Sequence, residues 1–202
     1  MGITETIALS MGAAWASGIN LYAAVFVLGF LGSTGQMTLP AELQFLTHPL
    51  VLGAAGFMYC VEFFTDKWPG VDNLWDAVHT FIRIPAGAIL AANGLAEVGP
   101  SAELAGMLAG GGLAAAAHAA KAGSRLVVNG SPEPVSNWMV SLGEDAAVIA
   151  GIWGALHHPW VFLAFLVLFI IFLAWFLPRI AKGLREAASR LRRLWRHVAF
   201  SL

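Results

Sequence analysis

The sequence predicts an all-α, polytopic membrane helical bundle of about six transmembrane helices, followed by a C-terminal basic amphipathic helix. Three observations carry this. Of 202 residues, 58% are hydrophobic and 11% charged, with a mean hydropathy of +0.74, whereas a soluble domain carries about 25% charged residues. The apolar residues gather into stretches near the roughly 20 residues that a helix needs to cross a bilayer. Charge is also divided: up to residue 178 the chain holds 4 Lys and Arg against 11 Asp and Glu, and from Arg179 it holds 7 against 1. Residues 1–178 therefore read as a transmembrane domain and 179–202 as a cytoplasmic tail.

The first span runs from about Thr6 to Gly32. Residues 1–10 contain no Lys or Arg, so this stretch lacks the basic start of a cleaved signal peptide and is taken as a span. Its polar string Ser17-Gly18-Ile19-Asn20-Leu21-Tyr22 permits close helix contact or a local unwinding. In the loop from Ser33 to His48, Pro40-Ala-Glu-Leu-Gln-Phe-Leu46 reads as a short interfacial helix. The second span covers Pro49 to Asp66. The third follows Trp68-Pro69-Gly70, with Asp72 as its N-cap, and ends near Leu95. The fourth, Ala102 to Val128, has almost no bulk from Leu104 to Ala117, which suits a helix packed on several neighbours and places it centrally. The fifth runs from Pro134 to Leu156 and the sixth from Pro159 to Leu177. In the tail, Ile180, Leu184, Ala187, Leu191, Leu194 and Val198 recur at three- and four-residue steps, with Arg190, Arg193 and Arg196 mostly elsewhere on the wheel, the pattern of a helix lying on the inner leaflet.

An even number of spans puts both termini on one side. The positive-inside rule makes that side cytoplasmic, because Lys67, Lys121, Arg125 and all the tail cations then lie at or near the inner face. Trp68, Trp75, Trp138 and Trp175 would form the inner aromatic belt, and Trp153 and Trp160 the outer one. A single cysteine, Cys60, excludes an intramolecular disulfide. No P-loop, Rossmann or zinc-finger pattern occurs, so nucleotide and nucleic-acid functions are not expected.

Depth along the spans singles out the charges that need a role. Arg83 lies roughly 16 Å along the third span, Glu144 and Asp145 at similar depth on the fifth, and His118 and Lys121 in the inner half of the fourth. An unpaired charge at such depth costs at least about 2.5 to 3.5 kcal/mol. Spacing lets these groups meet: Asp76, His79 and Arg83 share one face of the third helix, His118, Lys121 and Arg125 one face of the fourth, and Glu62 and Asp66 stand one turn apart on the second. With Asn20 and the Glu144-Asp145 pair, these stripes are expected to converge on one cavity open to the cytoplasm. Arg83 and Glu144 are a candidate pair, with Glu62 the next partner. A static network that only fixes helix packing is the competing reading. The string Asn129-Gly-Ser-Pro-Glu-Pro-Val-Ser-Asn137 reads as a capped or re-entrant turn, with Ser131 or Ser136 capping the fifth helix and free N–H groups offering an anion site.

Glu62-Phe-Phe-Thr-Asp66-Lys67-Trp-Pro69-Gly70-Val-Asp72, Lys121-Ala122-Gly-Ser-Arg125, Ser131-Pro-Glu-Pro-Val-Ser-Asn137 and Ser141-Leu-Gly-Glu144-Asp145 together resemble the bacterial membrane family catalogued as domain of unknown function 4126. The resemblance covers about residues 8–156 and leaves the basic tail outside. It implies a small multi-span membrane protein and carries over no catalytic or binding residue. A fainter similarity is to small cation exchangers built from two repeats with an acidic motif in each. It rests on Glu62, Asp66 and Lys67 in one half and Glu144 and Asp145 in the other. Ala16-Ser-Gly-Ile-Asn-Leu21 and Ala122-Gly-Ser-Arg-Leu126 are the matching strings for a 3+3 inverted repeat.

The leading functional expectation is a transporter or channel for a small cationic solute or protons, using Glu62, Asp66, Glu144 and Asp145 as ligands or proton carriers and Arg83 and Lys121 as counter-charges. Asn20, Asp76, His79, His118 and Arg125 complete the candidate binding set. The inner half holds more carboxylates than fixed cations, which favours a cation. No catalytic residue and no cofactor are expected; the partners are the lipid bilayer, a small solute or ion and, as an open option, further copies of the chain. One alternative is an enzyme or binder for a lipid-linked phosphate, with Asp72, Asp76 and His79 holding a divalent cation and Lys121 and Arg125 clamping phosphate. Another is a noncatalytic membrane scaffold.

Overall fold

The computed structural model describes residues 1–68, 70–128 and 134–199, with side chains beyond Arg179 described only at Lys182. Among these residues every regular element is helical. The order is α1 (Ile3–Ser33), a short 3-10 helix (Ala41–Thr47), α2 (Pro49–Thr65), α3 (Val71–Leu95), a 3-10 turn (Ala96–Val98), α4 (Pro100–Val128), α5 (Pro134–His157) and α6 (Pro159–Ala199). Proline opens α2, α4, α5 and α6, where its missing N–H would be unpaired in any case. Pro178 lies inside α6, which runs on as one helix into the tail. The expected amphipathic contacts of that tail, and the turn from Asn129 to Glu133 with Ser131, fall outside the described residues.

Among the described residues four helices are long and apolar enough to cross a membrane: Ile3–Ser33, Val71–Val98, Val135–His157 and Pro159–Arg179. The 3-10 helix Ala41–Thr47 and α2 add a fifth as a pair bent by 66°. The bend falls at His48, whose Nδ1 accepts the Leu50 N–H at 3.2 Å. α4 is 29 residues long, but glycine, alanine and three buried basic or imidazole side chains leave it less apolar. The chain is an integral membrane helical bundle.

The centre is α1, not α4. Residues from Ala8 to Leu28 are buried along most of α1, which touches α2, α3, α4, α5 and α6. The helix is apolar all round, so its sequence carries no amphipathic signal of which neighbours it would face. α4 packs against α1 and α3 through small residues. A Cβ on Gly18 would overlap the Ala114 carbonyl oxygen, and one on Gly110 would overlap the Ala91 methyl. Such close approach brings backbones into van der Waals contact, which is how helices associate where lipid removes the hydrophobic drive. α6 docks through Trp15, whose ring meets Phe162, Phe165 and Phe169 edge-on at centroid distances of 6.1, 5.4 and 6.0 Å.

The loop after α1 carries the expected short helix, as a 3-10 helix over Ala41–Thr47. Leu39, Leu43 and Leu46 are buried, and a Cβ on Gly29 would overlap the Leu46 carbonyl. The short helix is therefore packed into the end of the bundle. Glu97 Oε1 accepts the Ala41 N–H at 2.8 Å, tying it to the end of α3.

Candidate functional site: a buried ion network

The polar string in α1 does unwind the helix. Asn20 has φ −145° and ψ 98°, and its Oδ1 accepts the Ala23 N–H at 2.9 Å. Extended backbone with a side-chain bond three residues ahead is the geometry of an N-cap, so α1 is two helices meeting at a kink, the second capped by Asn20. The Asn20 amide Nδ2 is thereby turned outward and donates to Asp145 Oδ1 at 3.0 Å.

Across α2, α3, α4 and α5 the candidate charges assemble into one chain of ion pairs at one end of the bundle. Glu62 Oε1 accepts from Arg83 Nη2 at 2.6 Å and Lys121 Nζ at 3.0 Å. Arg83 Nη1 also reaches Asp76 Oδ1 at 2.9 Å. Lys121 continues to Asp66 Oδ2 at 2.9 Å, and Arg125 binds the same oxygen at 3.1 Å and Glu144 Oε2 at 2.5 Å. Lys121 is the hub, with Asp76 and Glu144 each 3.7 Å away as well. Arg125 further donates to the Asp66 carbonyl at 2.7 Å and to Asn137 Oδ1 at 3.0 Å, and lies 3.9 Å from Asp72. Glu62, Arg83 and Arg125 side chains have no solvent exposure, while Glu144 keeps 13%.

Three expectations change here. The partner of Arg83 is Glu62 and not Glu144, because Glu144 is engaged by Arg125 one helix away. The polar stripes do not jointly line one cavity: most of their described side chains interlock in ion pairs between the helices, and of the ion-paired members Lys121 and Glu144 border a groove. Asp72 is not the N-cap of α3. That position is Gly70 at φ 89°, and Asp72, inside the first turn, accepts the Gly70 and Asn73 N–H groups at 2.8 and 2.7 Å. A carboxylate there also complements the helix dipole.

The histidines divide. His118 joins the network: Arg83 Nη1 can only donate, so His118 Nδ1 accepts at 3.3 Å. The ring proton then resides on Nε2 and is donated to Thr80 Oγ1 at 2.7 Å, and Thr80 donates on to the Asp76 carbonyl. His79 turns instead towards α1. Its Nδ1 donates to the Trp75 carbonyl at 2.8 Å, leaving Nε2 to accept from the Tyr22 hydroxyl at 3.0 Å, and its ring stacks on Trp75 at 4.1 Å. Lys67 sits over the Phe63 ring, 2.9 Å from its centroid.

Sequence reasoning missed Tyr22, Thr80, Asn137 and Ser141. Tyr22, Asn137 and Ser141 lay at the ends of strings already singled out; Thr80 gave no signal beyond sharing a face with Asp76. Among the described residues, no three His, Cys, Asp or Glu side chains are grouped to hold a metal ion. Asp76 is instead bonded to Arg83 and His79 to Tyr22.

Two features of the network bear on ligands. Among the described residues its ion-paired members are five carboxylates, Glu62, Asp66, Asp72, Asp76 and Glu144, and three cations, Arg83, Lys121 and Arg125. Among the described residues, one oxygen each of Glu62, Asp66 and Asp76 is buried with no hydrogen-bond partner, as are Asn137 Nδ2 and Ser141 Oγ. Buried polar atoms are ordinarily satisfied, so these oxygens stand out from the rest of the interior.

A helical membrane bundle with an acidic ion network buried at one end is the class that fold and site define. The chain belongs to the family described as Domain of unknown function (DUF4126), which matches residues 7–179. The match takes in α6 as far as Arg179 as well as the strings between Glu62 and Asp145. No curated protein and no solved structure shows significant similarity to the chain.

Proposed function

We propose that the protein is a small transporter or channel-like protein for a cationic solute or protons, with the buried carboxylates as its binding groups. The observation that carries this is the imbalance, among the described residues, of five ion-paired carboxylates against three cations, coupled with the unsatisfied oxygens of Glu62, Asp66 and Asp76. A static network would be stabilised by charge balance, since each surplus buried charge is costly. A surplus is useful only when something of opposite sign arrives.

In this reading α1 to α6 are six spans, with both termini cytoplasmic in a bacterial inner membrane, and Lys121 is the internal counter-charge that an incoming cation displaces. A 3+3 inverted repeat would pair α2 with α5, and so Glu62 with Glu144. The lipid-phosphate alternative loses support because Lys121 and Arg125, its phosphate clamp, are committed to Glu62, Asp66 and Glu144.

The test is flux in proteoliposomes. A gradient of a small cation such as methylammonium should move protons in the opposite direction. Glu62→Gln and Glu144→Gln should abolish the movement while the protein stays monodisperse. Carboxylate variants at 62, 66, 144 and 145 that all carry the flux of the parent protein would make the network structural.

A further inference from the structure

A cavity of about 380 Å³ lies between α1, α4, α5 and α6, at the lower end of the range of small-molecule sites. Ala117, Ala120 and Gly143 leave its inner surface without bulk, and Phe169, Phe172 and Phe176 of α6 form an aromatic wall. Phe172 is half exposed on the outside of the bundle and stacks on Phe176 at 5.0 Å. The groove therefore runs from the outer, apolar surface of the bundle inwards. At its polar end stand Lys121 and Glu144, and of the two only Glu144 is reachable, with 13% exposure against 1%.

We propose that this groove is a lateral binding site for an amphiphilic monocation, an alkylammonium whose tail lies along α6 and whose head pairs with Glu144. The inference rests on the cation reading of the network and deepens it by naming the class of solute and its route. Charge complementarity selects the sign. Lys121 already has four carboxylates within 4 Å, so an anion would have to compete with all of them, whereas a cation at Glu144 lowers the surplus of negative charge. The shape selects the tail: apolar walls reward a hydrocarbon chain, and the opening between α4, α5 and α6 admits it from the bilayer.

The experiment uses the full chain in phosphatidylcholine nanodiscs and a diazirine-bearing dodecylamine as photolabel. Labelling should saturate, map to α4, α5 or α6 around the groove, and be displaced by dodecylammonium but not by dodecanol or dodecyl phosphate. Gly143→Leu should remove saturable labelling, since a Cβ at Gly143 meets nothing within 4 Å and the new side chain fills the groove without collision. Glu144→Gln should weaken displacement by dodecylammonium about thirtyfold or more. Equal displacement by dodecanol, stronger displacement by dodecyl phosphate, or unchanged labelling of a monodisperse Gly143→Leu variant would each overturn the proposal. Methylammonium-driven proton flux separates the two readings: flux without saturable labelling removes only the groove, and labelling without flux removes only transport.

Discussion

Asn20 and Asp145 join the break in α1 to the acidic pair on α5. One amide does both jobs, its oxygen capping the second half of α1 through the Ala23 N–H and its nitrogen donating to the Asp145 carboxylate. Asn20→Ala should lose about 1 kcal/mol of capping and a further ~1 to 3 kcal/mol from the stranded carboxylate. Asn20→Ser keeps a cap but cannot bridge to Asp145, so its stability in a mixed-micelle denaturant titration should fall between the other two. Equal losses for Ser and Ala would remove the capping role.

The hub position of Lys121 gives a second expectation. Lys121→Met leaves Glu62 to Arg83 and Asp66 to Arg125 alone and should destabilise by about 3 to 5 kcal/mol, the range for breaking a buried pair. Adding Glu62→Gln should recover part of that loss, so the two changes should be strongly non-additive. Additive losses would mean that the contact at 3.0 Å contributes nothing to stability.

Pairing in the network sets a third. A double-mutant cycle for Arg125 and Glu144 should show larger coupling than one for Arg83 and Glu144, because Arg125 binds both oxygens of Glu144. Coupling beyond about 0.5 kcal/mol is the threshold for residues in contact. A reversed order would restore the pairing of similar depths.

Helix contact distinguishes glycines of the same segment type. Gly18→Ala forces a methyl into the Ala114 carbonyl and should open the α1 to α4 contact, whereas Gly112 faces open space. Gly112→Ala should be neutral or stabilising by up to about 1 kcal/mol from helix propensity. Thermal unfolding of the two variants side by side checks this.

Topology can be read chemically because Cys60 is the one native thiol and is exposed on the helix surface. In a Cys60→Ser background, a cysteine placed between Ser33 and His48 should react with an impermeant maleimide from outside, and a reporter fused after Leu202 should read cytoplasmic. Labelling of that loop from inside alone would invert the proposed orientation.

The helix boundaries were legible because proline marks the starts of α2, α5 and α6 and because the polar string around Asn20 interrupts an otherwise apolar run. The members of the ion network were legible too, since charge in an apolar span is rare enough to be informative. Their partners were not. Whether Arg83 meets Glu62 or Glu144 depends on how α2, α3 and α5 rotate about their axes, and sequence depth says nothing of rotation. For the same reason His79, on the face of Asp76 and Arg83 by spacing, turns to Tyr22. The central place of α1 was hidden because a uniformly apolar helix offers no face to read, while the small residues of α4 signalled close contact without saying with whom.

The hub also imposes an order of assembly. Lys121 follows Glu62 by 59 residues and Asp66 by 55, so α2 and α3 are synthesised, with four carboxylates and only Lys67 and Arg83 between them, before the residue that neutralises them exists. A nascent α2–α3 hairpin is therefore ill suited to remain in lipid alone. Its insertion waits on the emergence of α4, and a chain stopped before Lys121 should leave the hairpin exposed to quality-control proteolysis, whereas one stopped after Arg125 should not.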